Sequence, residues 1–230
     1  INGAMQVAQR GTSSTSSGYY TVDRFTTDFG GTDEAPTFAQ ADVASGTTPY
    51  TSGFRKSLKV TNGNQTSGAG TADFIGIGHR IEAQNMATSG WNYVSASSYI
   101  TLSFWVKSSV AQSFKGYVKT SDGSAYIYSF DTGSLSADTW TKVTKTISGN
   151  SNLTFNNDNG LGFEFYIWQF AGTDYTASSV TEDAWAAYAS GTRMKDNTST
   201  WYTTNDATFE LTGVQLEVGS VATDFEHRSF

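Results

Sequence analysis

Residues 209–226 read FELTGVQLEVGSVATDFE, a strand whose apolar side chains change face partway along its length. Phe209 and Leu211 fall on odd positions, whereas Val214, Leu216 and Val218 fall on even ones. Side chains in a strand alternate with period two, so one extra residue inverts the pattern, and a glycine-centred bulge at Thr212 and Gly213 is the expectation. The segment reads as the closing strand of a β-sandwich.

Upstream, the same period recurs in Phe54, Leu58 and Val60, in Ile75, Ile77 and Ile81, in Ile100, Leu102, Phe104 and Val106, and in Leu161, Phe163, Phe165 and Ile167. Turn signals separate these runs. Asp122-Gly123 is expected to close a hairpin between residues 114–119 and 125–130, and Asn62-Gly63 and Asn159-Gly160 mark strand ends. Strands at this spacing predict one all-β domain over residues 1–230, a two-sheet antiparallel β-sandwich. No repeat of 20–50 residues is visible, which excludes propellers and solenoids.

One short helix is expected inside a long connection, residues 171–208. Within it Thr181 to Gly191 (TEDAWAAYASG) offers an N-cap, acids in the first turn and a terminal glycine. The connection also carries Trp185, Tyr188, Trp201 and Tyr202, and long loops with such side chains are candidate binding or interface elements.

Composition sets the partner class. The 230 residues hold 23 glycines, 2 prolines and no cysteine, and 14% are aromatic. A net charge of −7 with no Lys/Arg cluster argues against nucleic acid or anionic lipid as partner and leaves neutral glycan or protein. No apolar run reaches the roughly 18 residues of a membrane span, and the N-terminus lacks the basic-then-apolar layout of a signal peptide. A start at Ile1 suggests a piece of a longer protein.

The face opposite the expected core is not uniformly polar. It shows Trp105 and Lys107 on one strand, Lys115, Tyr117 and Lys119 on a second, and Glu164, Tyr166, Trp168 and Phe170 on a third. If these share a sheet, Trp105, Tyr117, Tyr166 and Trp168 form an aromatic platform edged by Lys and Glu164. Sugar rings stack their C–H faces on such rings, with polar groups orienting their hydroxyls. The competing reading is that the long loop or a neighbouring subunit covers the same rings.

Of two histidines, His79 continues the apolar face of Ile75, Ile77 and Ile81 and reads as a core-edge residue; a histidine metal site is not expected. The loop 156–160 (NNDNG) lacks EF-hand spacing and reads as a polar turn. Glycan hydrolysis needs two converging carboxylates, for which Glu82, Glu164, Glu210 and Glu217 are the strand-borne candidates. No nucleophile elbow, phosphate-binding loop or zinc spacing is present, and the chain is read as having no catalytic residue.

The pairing of NGAMQVAQRG (2–11) and GYYTVDRF (18–25) with LTGVQLEVGSVATDFEHRSF (211–230) resembles marine bacteriophage tail-fibre and appendage proteins. Their distal part is a jelly roll similar to carbohydrate-binding modules. ITLSFWVKSS (100–109) and ADTWTKVTKTISG (137–149) extend the resemblance, and residues 171–208 do not contribute. It implies an extracellular virion domain that recognises a host-surface polysaccharide without catalysis, contacts other tail proteins and assembles as a homotrimer. It also implies a chain continuing past Phe230, no catalytic cofactor, and at most a structural calcium whose ligands it does not designate. The alternatives are a structural virion domain with no ligand and, third, a glycan depolymerase.

Overall fold

Apolar alternation becomes a ladder of strands because each exposed polar edge must find a backbone partner while one face is taken out of water. In the computed structural model, which describes residues 2–227, that requirement is met by twelve strands and two single-turn helices. In chain order they are β1 (Ser13–Ser14), β2 (Phe25–Gly30), β3 (Thr37–Asp42), α1 (Thr48–Thr51), β4 (Lys56–Thr61), β5 (Phe74–Glu82) and α2 (Ala83–Ala87). There follow β6 (Tyr99–Ser108), β7 (Lys115–Thr120), β8 (Tyr126–Asp131), β9 (Thr141–Ser148), β10 (Leu161–Ala171), β11 (Trp185–Ala187) and β12 (Thr208–Val218).

The strands form two six-stranded sheets, β1-β3-β4-β12-β6-β9 and β11-β8-β7-β10-β5-β2, with antiparallel pairing throughout. This is the two-sheet sandwich that the alternation predicts. The inner faces share one core, in which Leu58, Phe104, Val106, Phe209 and Leu211 of the first sheet pack with Ile75, Ile77, Val118, Phe130 and Phe165 of the second. Ring pairs knit the layers, Phe104 with Phe165 across 5.5 Å and Phe114 with Phe209 across 4.8 Å. His79 takes the expected core-side position, edge-on to Phe25 at 4.9 Å.

The bulge in β12 lies where the change of phase put it. Its register against β6 runs from Phe209↔Ser108 to Thr212↔Trp105, shifts, and resumes at Gln215↔Ser103. Gly213 has φ +65, and a β-carbon there would stand 2.7 Å from the Phe54 ring. β4 pairs with β12 only from Thr208 to Leu211, so beyond the bulge β12 has lost its neighbour on that side. The Val214 amide instead donates to the Gly3 carbonyl at 3.0 Å.

Two local expectations differ from the structure. The hairpin of β7 and β8 forms as expected, but residues 181–191 make no helix. Asp183 adopts a left-handed φ of 57, and Trp185–Ala187 extends as β11 against β8. The local capping signals are outweighed by edge pairing and by the Trp185 indole, which donates to the Ser148 carbonyl at 2.7 Å and packs on Tyr128. Phe170 faces the core instead of continuing the outer face, because a second bulge between Trp168 and Phe170 inverts β10, and the ring stacks on Tyr202 at 4.4 Å.

If contact with Phe54 fixes the β12 bulge, alanine at Gly213 should be costlier than at Gly133, whose φ of +77 is similar but around which nothing lies within 4 Å. Urea denaturation should show a loss of about 1–2 kcal/mol for Gly133→Ala, and of roughly 2–4 kcal/mol for Gly213→Ala. Equal losses would show that the ring does not constrain the bulge.

Candidate functional site

The outer face of the second sheet carries the aromatic cluster. Tyr166 and Trp168 point outward from β10 and stack at 5.1 Å with an interplanar angle of 12°. Tyr117 of β7 adjoins both, at 5.6 and 6.3 Å. The stack lies flat across β5 because Gly76 and Gly78 stand beneath it: added β-carbons would come within 2.5 Å of Trp168 and 2.4 Å of Tyr166. The Tyr166 hydroxyl donates to Asp28 at 2.8 Å, and burial, with the Asp28 charge next, pushes the phenol far above its ordinary pKa. Burial likewise raises Tyr117, reinforced by the Glu164 carboxylate.

Trp105 does not belong to this group. It lies on β6 in the other sheet, where it is half-buried with Phe54, Tyr50 and Trp140 on that sheet's outer face. Alternation along one strand specifies a face but not which sheet the strand joins, so the four-ring platform divides into three and one.

The remaining three rings are covered by the chain itself. Tyr117, Tyr166 and Trp168 are 3–6% exposed, beneath a strap of residues 172–200 that contributes Tyr175, Tyr188 and Met194. Lys115 anchors it to Glu182 at 2.8 Å while also binding Asp131 at 2.5 Å. The Ser129 hydroxyl donates to the Arg193 carbonyl, and the Asp183 amide donates to the Ser129 carbonyl. Arg193 lies 4.9 Å from the Tyr175 ring centre, and Lys119 lies 5.3 Å from that of Tyr188. Of the loop candidates, Trp185 and Tyr188 belong to the strap, whereas Trp201 and Tyr202 are buried core residues. The Trp201 indole donates to the Thr208 carbonyl, and the Tyr202 hydroxyl donates to Asp73.

The four carboxylates considered for hydrolysis are engaged separately, two on each sheet. Glu164 accepts from Lys119 at 2.8 Å with Arg80 at 3.9 Å, and Glu82 accepts from Gln84. Glu210 binds Lys107 and Ser57, each at 2.8 Å, and Glu217 accepts from Thr223 and Gln215. Among the described residues no group of three acidic, histidine or cysteine side chains is arranged to hold a metal ion. In the 156–160 turn, Asn156 donates from its amide and side chain to Asp122. Among the described residues no helix is long and apolar enough to cross a membrane.

An open concavity lies elsewhere, at the rim where β2, β5 and β10 begin or end. It is a cleft of about 640 Å3 lined by Arg10, Tyr19, Asp23, Arg24, Arg80 and Glu82, with Asn159 and Gln9 at its borders. Three guanidiniums face two carboxylates there, a local positive excess in a chain of net charge −7. The N-terminal segment builds its wall. Asn2 donates to the carbonyls of Val7 and Asp23, both at 2.9 Å, and its own side-chain oxygen accepts from the Val7 amide. Gly18 exchanges two backbone hydrogen bonds with Thr27, which sets Tyr19 at the rim, and Arg10 donates to the Tyr19 carbonyl. The opposite wall is the turn 158–160, bonded to the start of α2 through Ala83 and Gln84. These residues come from four separate stretches and form no local motif. The only signal in the sequence was three arginines flanking strand ends.

No family model matches the sequence, and no curated protein matches it significantly. Among solved structures, the family 11 carbohydrate-binding module from Clostridium thermocellum is similar at 11% identity and TM-score 0.38, covering 84% of this chain and 88% of that one. The N-terminal cellulose-binding domain of Cellulomonas fimi β-1,4-glucanase C is similar at 11% identity and TM-score 0.42, covering 94% and 99%. The enzymatically active domain of bacteriophage CBA120 tailspike protein 4 is similar at 10% identity and TM-score 0.45. That match covers 85% of this chain, which spans only 19% of the tailspike chain. The structural neighbours are thus β-sandwich carbohydrate-binding modules and a phage tailspike domain.

The fastening of the strap predicts acid sensitivity. Burial opposes ionisation of Asp131, but hydrogen bonds from Lys115 and the Gly133 amide outweigh it and hold its pKa below the ordinary value. A depressed carboxylate stabilises the fold above its unfolded pKa of about 4 and ceases to do so as pH falls through the folded value. Hydrogen-exchange protection of residues 182–187 should therefore fall between neutral pH and about pH 3, and Asp131→Asn should lower it at neutral pH. Protection unchanged by acid and by the substitution would contradict the clamp.

Proposed function

We propose that this domain is a non-catalytic recognition module for an extracellular polysaccharide, with the sugar held in the cleft between Tyr19, Arg24, Arg80 and Glu82. The observation that carries it is the cleft's composition. A half-exposed tyrosine ring stands beside guanidinium donors and carboxylate acceptors in an open trough, the combination that stacks a sugar ring and orients its hydroxyls. Glu164 and Glu210 lie on different sheets, each tied to a lysine, which favours binding over hydrolysis for that pair.

Within this reading the domain belongs to a phage tail fibre or appendage and presents the cleft to a host-surface glycan, as the resemblance of residues 2–25 and 211–230 suggests. Modest affinity per site serves adsorption there, because several copies on one particle multiply it. The reading moves the sugar away from Tyr117, Glu164, Tyr166 and Trp168, which the strap covers, and away from Trp105.

A structural role in subunit contact has its own support. Val218, at the end of β12, is 49% exposed, and Val221 beyond it is 73% exposed. Under this second reading Val218→Lys should dissociate the assembly in sedimentation, and an unchanged oligomeric state would contradict it.

Binding to purified host polysaccharides should weaken roughly 3–10-fold in Tyr19→Ala, with the melting temperature unchanged. Undiminished binding by that variant, or no binding to any surface glycan by the folded domain, would contradict the proposal.

A further inference from the structure

The loss of β4 beyond the β12 bulge opens the sandwich itself. Between the sheets at that end lies a concavity of about 600 Å3 whose floor is Ile100, Leu102, Val118, Phe163 and Phe165, each at most 4% exposed. These are buried residues, yet Ile81, Val214 and Leu216, which pack against them, still reach solvent at the mouth. Inward-facing aliphatic side chains that remain accessible forgo the stabilisation of burial, which an apolar ligand would restore. A volume of this size falls within the roughly 300–1,000 Å3 of pockets that hold small molecules.

The mouth is charged, and its charges are unequally occupied. Glu217 accepts two hydrogen bonds from Thr223, and Glu82 accepts one from Gln84. Arg24, which borders both the concavity and the outer cleft, makes no hydrogen bond or ion pair among the described residues. Its backbone is left-handed, φ 73, an unfavourable conformation for a side chain of this type. Arg80 lies beside it on the same rim. A free guanidinium at the edge of an aliphatic concavity complements an anionic head attached to an apolar tail.

We propose that the inter-sheet concavity binds a single-chain anionic amphiphile, with its acyl tail along Ile81, Val214, Leu216 and Val218 and its carboxylate or phosphate head at Arg24. It does not rest on the sugar reading, although its head site shares Arg24, Arg80, Ile81 and Glu82 with the outer cleft. Calorimetric titration with dodecanoate, below its micellar concentration, should show one saturable site. Leu216→Trp, which places a ring in the mouth at a half-buried position, should abolish it. Arg24→Gln should weaken dodecanoate about tenfold, as expected for loss of a charge-assisted hydrogen bond, and leave dodecyltrimethylammonium binding unchanged. A readout independent of any variant's folding is the methyl spectrum of the unaltered protein, where dodecanoate should shift Ile81, Val214 and Leu216. Absence of saturable binding, binding undiminished in folded Leu216→Trp, or methyl shifts confined to the exterior would each overturn the proposal.

Discussion

The structure turns on one inserted residue in β12. The strand pairs with both β4 and β6 up to Leu211, and the bulge at Thr212–Gly213 then inverts its faces and ends its pairing with β4. Inversion keeps Val214 and Leu216 directed at the interior although the spacing from Leu211 is odd. Loss of β4 leaves a gap partly filled by Gly3, and the N-terminal segment anchored there goes on to build the wall of the outer cleft. The irregularity thus makes room for Gly3, and the Phe54 ring packs against Gly213, where a β-carbon would stand 2.7 Å from it.

The second sheet shows the opposite solution to surplus apolar surface. Its outer face carries Tyr117, Tyr166 and Trp168 over the glycines of β5, an area too large to leave in water. The strap covers it using ion pairs and backbone hydrogen bonds at its fastenings and Met194 and two tyrosines over the rings. The first sheet treats its outer face in the same way on a smaller scale, with Phe54 and Tyr50 beside Trp105. Aromatic residues in this chain chiefly assemble local layers.

What the sequence disclosed follows from the range of the forces involved. The phase of β12, the Asp122-Gly123 hairpin and the core-side position of His79 are set by neighbours a few residues away, and they were legible. The sheet to which Trp105 belongs depends on pairing between distant strands, which alternation does not encode. Residues 181–191 carry helix-end signals, but Trp185–Ala187 gains a strand partner in β8 and the Trp185 indole a carbonyl on β9, contacts that no local pattern announces. The cleft was illegible for the same reason: Arg10, Arg24, Arg80 and Asn159 converge only after the sheet has formed.

The central claim is that recognition occurs at the β2–β5 rim and not on the covered aromatic face. Amide chemical-shift mapping during titration with a host-surface oligosaccharide tests it most directly. The account predicts shifts concentrated in residues 9–24, 80–82 and 159–161 while the amides of β7 and the strap stay in place. Shifts centred on Tyr117, Tyr166 and Trp168, accompanied by loss of protection in residues 172–200, would contradict it.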